Sequence, residues 1–239
     1  MKAVGMIPAR WASTRFEGKI LAEITGKPMI QHVWERCKQS KKLDEVMIAC
    51  DDDRIRKTAQ KFGAFVVMTA KDHTSGTDRI AEAVRQIKAD IVINIQGDEP
   101  LIHHSMIDDL VQTLEKNKDC PMATVVKEMG SEDLSNPNVV KVVRNKEGYA
   151  LYFSRSAIPF NRKGSKIKYY KHIGIYGYRK HFLSTFQTLP KSLLEEAEQL
   201  EQLRVLEAGY KIKTVETRYK TIGVDTPADL KRVEEILSK

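Results

Sequence analysis

Short apolar runs alternate with amphipathic stretches through the first part of the chain, at residues 3–7, 29–37, 45–49, 55–62, 65–68, 80–87 and 91–95. Runs such as Val46-Met47-Ile48-Ala49 and Ile91-Val92-Ile93-Asn94-Ile95 show little polar alternation, as strands covered on both faces do. Residues 29–37 and 55–62 instead repeat apolar positions at helical spacing. The order predicts strand, helix, strand, helix, and therefore a doubly wound α/β sheet. Ligands on such sheets bind beyond the carboxyl ends of the strands, which points to the loops after Ile7, Ala49, Met68 and Ile95.

From 120 to 178 the pattern turns β-rich, with runs at 122–126, 139–143, 149–153 and 173–178 separated by turn material such as Ser135-Asn136-Pro137-Asn138. This predicts an inserted flap or edge sheet, with a basic, glycine-containing loop at 161–170. A helix over 193–208 follows, closed by Gly209, then a strand at 212–216 and a last helix from Pro227. On the 193–208 helix, Leu193, Leu194, Ala197, Leu200, Val205 and Ala208 form one apolar arc, and Glu201 and Arg204 project inside it. Charges on a buried face need partners. Either the two pair with each other at i,i+3, or they face a substrate pocket.

Composition narrows the class. A chain of 239 residues, 41% hydrophobic and 30% charged, builds a substantial core and is neither disordered nor collagen-like. Its net charge of +8 favours anionic partners: nucleic acid, phosphorylated metabolites or carboxylated sugars. Interspersed charges and the lack of any recognised nucleic-acid-binding motif argue against nucleic acid. The three cysteines lack CxxC spacing, so neither a disulfide framework nor a zinc site is indicated, and a reducing cytosol is the natural setting. Pro8 and Arg10 interrupt the first apolar run before a signal-peptide core can form, and no run approaches a membrane span. These features predict a soluble cytoplasmic protein without stable membrane association.

Candidate chemistry lies in the strand-end loops. The first, from Pro8 to Lys19, places Arg10, Arg15 and Lys19 among small residues and the hydroxyls of Ser13 and Thr14, a composition suited to cradling a polyphosphate. It fits neither GxxxxGK[ST] nor GxGxxG, and the bland alternative to a polyphosphate cradle is a solvated basic loop. Asp98 follows Gln96-Gly97 beyond an apolar strand, where a hard cation bound to phosphate needs a carboxylate. Asp225 follows Gly223-Val224 in the same style, although Asp225 or Thr226 can equally cap a helix with Pro227 in its first turn. Asp51-Asp52-Asp53 has the DxD form of glycosyltransferase metal sites, but capping of a helix beginning at Arg54 is the simpler explanation. At 71–79, Thr74, Ser75 and Gly76 offer hydroxyls and amides and Arg79 enters the next helix, with Ser75 or Thr77 as its N-cap. Of the six histidines, His172 alone is placed near a pocket.

Taken together, IPARWASTRFEGK, TAKDHTSGTDR, NIQGDEP, NPNVVKVV, EGYALYFSRSAIPF, KHIGIYGYR, LEQLRVLEAGYKI and GVDTPADL resemble, in the same order, segments of the 3-deoxy-manno-octulosonate cytidylyltransferases, the CMP-Kdo synthetases of lipopolysaccharide biosynthesis. The resemblance spans nearly the whole chain; one departure is Phe16-Glu17 where the family has Leu-Pro. It implies a mixed, mainly parallel sheet of the nucleotide-diphospho-sugar transferase type, with 1–239 as one domain and 120–178 as a β-rich insertion serving dimerisation and sugar binding. The implied reaction is transfer of CMP from CTP to the anomeric hydroxyl of 3-deoxy-manno-octulosonate (Kdo), with pyrophosphate released and Mg²⁺ required, in one or two copies. By the same resemblance, Arg10, Ser13, Arg15 and Lys19 hold the triphosphate, and Thr74, Ser75, Gly76 and Arg79 surround the nucleoside. Asp98 and Asp225 would bind magnesium and, with Lys19 and Arg10, form the catalytic group. Gln96 would lie between the substrates, and Arg155, His172, Tyr176, Glu201 and Gln202 would line the sugar pocket of a homodimeric enzyme. The competing readings are CMP transfer to another sugar acid, such as 8-amino-Kdo, and a metal-dependent glycosyltransferase built on 51–53.

Overall fold

The computed structural model describes residues 1–12 and 17–238. Strand β1 (Ala3–Ala9) leads to a 3-10 turn (Lys19–Leu21), the short strands β2 (Glu23–Ile24) and β3 (Lys27–Pro28), and α1 (Met29–Cys37). Then come β4 (Glu45–Cys50), α2 (Asp53–Lys61), β5 (Phe65–Met68), α3 (Gly76–Ala83), β6 (Ile91–Asn94) and α4 (His104–Lys116). The second half holds β7 (Met122–Met129), β8 (Lys141–Arg144), β9 (Ala150–Ser154), β10 (Tyr169–Arg179) and α5 (Lys180–Thr188). It ends with α6 (Leu193–Glu198), α7 (Gln202–Glu207), β11 (Ile212–Glu216) and α8 (Pro227–Leu237).

Among the described residues, the central sheet runs β11-β7-β10-β6-β1-β4-β5, with β8 and β9 branching from β10. Pairs β1–β4, β1–β6, β4–β5 and β11–β7 are parallel; β10 lies antiparallel between β6 and β7. The mixed, mainly parallel sheet of the sequence reading is present. Its β-rich segment is more deeply integrated than a flap, because β7 and β10 are structural strands of the main sheet and only β8 and β9 stand off its path. The reason is burial on both faces: Met122, Ala123, Thr124, Val125 and Val126 are all buried, which only a covered sheet interior allows.

Helices cover both faces. On one, Met29, Ile55, Leu110 and Val233 bring α1, α2, α4 and α8 against the sheet; on the other, Ile80, Phe182, Phe186 and Leu203 bring α3, α5 and α7. Each such side chain contributes roughly 1.5–3 kcal/mol on burial. Two of these helices, α4 and α5, lie outside the elements predicted from sequence. The 193–208 helix is also interrupted: Gln199 adopts the left-handed conformation (φ 53°), separating α6 from α7 and turning Leu193 out to 80% exposure.

Candidate active site

The carboxyl ends of β1, β5 and β6 converge on a cavity of about 350 Å³. Its floor needs close backbone approach: a Cβ on Gly97 would lie 2.6 Å from Ile20 Cδ1 and 3.1 Å from the Pro8 carbonyl oxygen. One wall is the amino end of α3, where Ser75 is the N-cap, accepting from Asp78 N, and Thr74, Ser75 and Gly76 border the space. A helix N-terminus with free amides favours an anion there. Opposite, Lys19 follows Gly18, whose φ of 65° makes a turn that suits glycine. Lys19 Nζ donates to Asp98 Oδ2 at 2.8 Å, to the Val224 carbonyl at 2.9 Å and to Asp225 Oδ1 at 3.2 Å. Burial alone would lower the lysine pKa, but the charge and hydrogen bond of Asp98, seconded by Asp225, outweigh it and raise the pKa, so the ammonium stays charged at neutral pH.

A second cavity of about 250 Å³ adjoins the first, and Gly76, Gln96 and Glu201 border both. Glu201 reaches this junction from the start of α7 and accepts from Thr77 Oγ1 at 3.0 Å. Burial raises the Glu201 pKa, with the Thr77 bond opposing. Gln96 Nε2 donates to Asn94 Oδ1 at 3.1 Å, and Tyr176 donates its hydroxyl proton to Gln202 Oε1 at 3.2 Å. Gln202 Nε2 is buried with no hydrogen-bond partner among the described residues, an available donor at the edge of a polar cavity. The first cavity thus joins cations, carboxylates and a helix N-terminus, which suits a polyphosphate. The second offers amide, hydroxyl and carboxylate groups, which suit a polyhydroxylated ligand.

Behind the first cavity is a buried ion pair. Arg79 Nη2 meets Asp51 Oδ2 at 2.8 Å, and Arg79 Nη1 donates to Thr69 Oγ1 at 2.6 Å and to the Ala70 carbonyl at 3.1 Å. Asp51 also accepts from Trp11 N at 3.1 Å. His73 borders the cavity and is tied to Glu82, which accepts from Ala70 N as well. This network knits together the loops after β1, β4 and β5.

A cytidylyltransferase family model matches residues 4–213. The 3-deoxy-manno-octulosonate cytidylyltransferase of Geotalea uraniireducens is 49% identical, each chain being covered in full. That of Thermodesulfovibrio yellowstonii is 53% identical over 100% of this chain and 99% of its own. The chain belongs to the 3-deoxy-manno-octulosonate cytidylyltransferase family. A solved structure of CMP:2-keto-3-deoxy-manno-octonic acid synthetase complexed with CTP superposes with a TM-score of 0.97 at 46% identity, over 100% of this chain and 99% of the other.

Against the residues the family resemblance implies, Arg10, Lys19, Thr74, Ser75, Gly76, Arg79, Gln96, Asp98 and Asp225 all border the first cavity. Gln96, Tyr176, Glu201 and Gln202 border the second. Ser13 and Arg15 lie outside the described residues. Arg79 stands in the wall with its guanidinium committed to Asp51 and only 2% of the residue exposed. Two residues lie outside the cavity linings. Arg155 directs Nε to the Glu198 carbonyl and Nη1 to that of Pro137, and His172 Nε2 is bonded to Thr124 Oγ1 at 2.9 Å beside Phe153 and Tyr176.

Three local readings that the sequence left open are resolved. Glu201 does not pair with Arg204, because the kink at Gln199 re-aims α7; Arg204 Nε meets Glu195 Oε2 at 2.6 Å and Glu201 meets Thr77. Within the acidic triplet Asp52 is the helix cap, while Asp51 faces inward to Arg79. On the last helix Thr226 is the cap, forming a capping box with Asp229, so Asp225 is left to face Lys19. Sequence reasoning missed Thr77, Asn94 and His73 as site residues. Asn94, a lone polar residue ending an apolar strand, was the signal that could have been used.

Proposed function

We propose that this protein transfers CMP from CTP to the anomeric hydroxyl of Kdo and releases pyrophosphate. The observation that carries the reading is the pair of cavities joined at Gly76, Gln96 and Glu201, with Lys19, Asp98 and Asp225 clustered in the first. An anionic triphosphate suits the cavity bordered by Arg10, Lys19 and the α3 amino end. A hydroxyl-rich sugar acid suits the neighbouring one, and the junction is where the sugar oxygen and the α-phosphorus must meet.

Cytidylyltransferases of this kind generally use a divalent metal, and we assign magnesium. The donor chemistry fits: two carboxylates, Asp98 and Asp225, converge on one positive charge, that of Lys19. Among the described residues no third His, Cys, Asp or Glu completes a set, so the remaining ligands would come from phosphate and water, as magnesium prefers. When bound, the ion supplies Lewis-acid charge stabilisation at phosphate oxygens.

The chain's own residues do the rest. Arg10 and Lys19 offset the negative charge that otherwise repels an incoming oxygen nucleophile, and the α3 N-terminus adds fixed dipoles. As the sugar hydroxyl gives up its proton to solvent and its oxygen bonds to the α-phosphorus, the bond to pyrophosphate breaks and charge moves onto the leaving group, where the Lys19 ammonium stabilises it. Gln96 and Glu201 orient the sugar at the junction, and Tyr176 and Gln202 position its far hydroxyls. Arg155 and His172 act on this pocket from behind it, through the 198–201 segment and through Tyr176.

Further assignments belong to the same reading: a single domain over 1–239, a cytoplasmic setting in lipopolysaccharide synthesis, and a homodimer formed through 120–178. No helix among the described residues is long and apolar enough to cross a membrane. Supporting a dimer, β9 pairs only with β8 and carries Leu151 at 60% exposure, near an 87% exposed Phe160 in sequence. Pyrophosphate release assayed with CTP, Mg²⁺ and a panel of sugar acids tests the function. Turnover with Kdo supports it; faster turnover with 8-amino-Kdo reassigns the substrate, and no turnover with any sugar acid overturns it.

A further inference from the structure

The acidic triplet at 51–53 borders neither cavity; Asp53 pairs with Arg56 within α2, while Asp51 directly and Asp52 through Arg54 reach the first loop. Asp52 caps α2 and grips Arg54 with both oxygens, accepting from Nε at 2.8 Å and Nη2 at 2.7 Å. The guanidinium so fixed lies over the Trp11 ring, 3.4 Å from its centroid. Asp51 accepts from the Trp11 backbone amide at 3.1 Å while holding Arg79. Trp11 in turn governs what precedes Lys19. Its indole N–H donates to Glu17 Oε1 at 2.9 Å, and its carbonyl accepts from Gly18 N at 3.2 Å. Its six-membered ring packs so closely on Gly18 that a Cβ there would lie 2.9 Å from Cη2. The residue after Gly18 is the lysine that faces Asp98 and Asp225.

We propose that Trp11 is a positioning residue for Lys19, clamped by Glu17 and by Arg54, which Asp52 holds in place, so that Asp51 and Asp52 anchor the phosphate-binding loop. The inference rests on the functional reading given above. A planar guanidinium held by a carboxylate offers an indole a rigid, charge-complementary face. Misplacing a catalytic ammonium by about 1 Å costs roughly 100-fold in rate, so a clamp of modest strength has a large kinetic effect. Glu17 and Arg54 are the two charges that hold Trp11 in this loop.

The test uses the full chain with Trp34→Phe as parent, which leaves Trp11 as the sole tryptophan of the two. Trp34 Nε1 has no hydrogen-bond partner among the described residues, so this background loses no bond. Without nucleotide, Arg54→Ala and Glu17→Ala should each shift Trp11 emission to longer wavelength. Trp11→Ala should lower kcat about tenfold or more, leave the Kdo Michaelis constant within about twofold, and be largely rescued by Trp11→Phe, which keeps a ring on Gly18. Arg54→Ala should lower kcat about threefold in the parent and not at all in the Trp11→Ala background, as residues acting in series require. A kcat for Trp11→Ala within about twofold of the parent overturns the proposal. So does an Arg54→Ala loss that persists in full without Trp11, which would place Arg54 on the triphosphate itself. Unchanged emission in an active parent removes the clamp; a parent without turnover on CTP and Kdo removes the functional reading instead.

Discussion

Asp51→Ala is the substitution that most directly tests how the cavity wall is built. The Arg79 side chain is 3% exposed and that of Asp51 9%, and their oxygen and nitrogen are 2.8 Å apart. Removing the carboxylate strands a guanidinium in a dry site, which costs about 3–5 kcal/mol when a buried pair is broken. Bonds from Arg79 to Thr69 and Ala70 survive, placing the cost toward the lower end of that range. At about 2.1 cal/mol/K of unfolding entropy per residue, a chain of this length shifts by about 2 °C per kcal/mol, so the melting midpoint should fall by about 6–8 °C. The melt is followed by circular dichroism without nucleotide, since any ligand of the native state raises the midpoint by mass action. Adding Arg79→Met removes the stranded charge and should recover most of the loss. A midpoint within about 1 °C of wild type for Asp51→Ala, or a double variant no better than the single, would refute the buried pair and return Arg79 to the role of a nucleotide ligand.

Asp98→Asn and Asp225→Asn should each reduce turnover by about 100-fold or more at unchanged melting midpoint, because each removes charge from the cation site and neither is part of the core; retention of wild-type rates in magnesium titrations would dismiss both as ligands. Lys19→Ala should lower kcat by more than it raises the CTP Michaelis constant, since its stabilisation grows as charge moves to the leaving group; an effect confined to the Michaelis constant contradicts this. Glu201→Ala should raise the Kdo Michaelis constant while CTP affinity, measured calorimetrically without sugar, stays constant; a parallel fall in CTP binding would assign Glu201 to the nucleotide. Burial lowers the His172 pKa to about 3, so its neutral form is favoured by folding and the stability it lends is complete above about pH 6.5 and lost as pH falls toward 3. Urea unfolding at pH 7 and pH 5 should therefore show wild type losing about 1–2 kcal/mol more than His172→Gln across that interval, and equal losses would show that His172 is solvated.

The strands and most helices were legible because their signals are local. The predicted spans 29–37, 65–68 and 212–216 agree with α1, β5 and β11 residue for residue, each being a run whose period needs no distant partner to interpret. The face of α4 is equally readable, since Met106, Ile107, Leu110, Val111 and Leu114 recur at helical spacing, although α4 lies outside the predicted elements. The kink at Gln199 is a different kind of miss. Nothing in Leu193 to Glu207 forbids a continuous helix, and the left-handed turn at Gln199 directly follows Glu198, which is held from outside by Ser154 Oγ at 2.5 Å and Arg155 N at 2.8 Å.

That contrast explains which parts of the site the sequence disclosed. Strand-end loops of a parallel sheet must converge on one edge, so topology gathers the loops after β1, β5 and β6 at the first cavity, while Glu201 and Asp225 reach it from outside those loops and were implied by the family resemblance. Partner choice within the cavity follows no such rule. Thr77 and Glu201 are 124 positions apart and Lys19 and Asp225 206 apart, and which hydroxyl meets which carboxylate is fixed by a sheet order and a helix kink that local periodicity does not encode. The apolar arc carrying Glu201 did register the conflict, a charge where packing wanted none, and offered two resolutions. Only the rotation of α7 past Gln199 decides between them, by delivering Arg204 to Glu195 and leaving Glu201 at the junction of the two cavities. A buried charge without a local partner is therefore the most informative kind of sequence anomaly in this chain, and its meaning is set by non-local geometry, the turn at Gln199 beside a Glu198 that Ser154 and Arg155 hold.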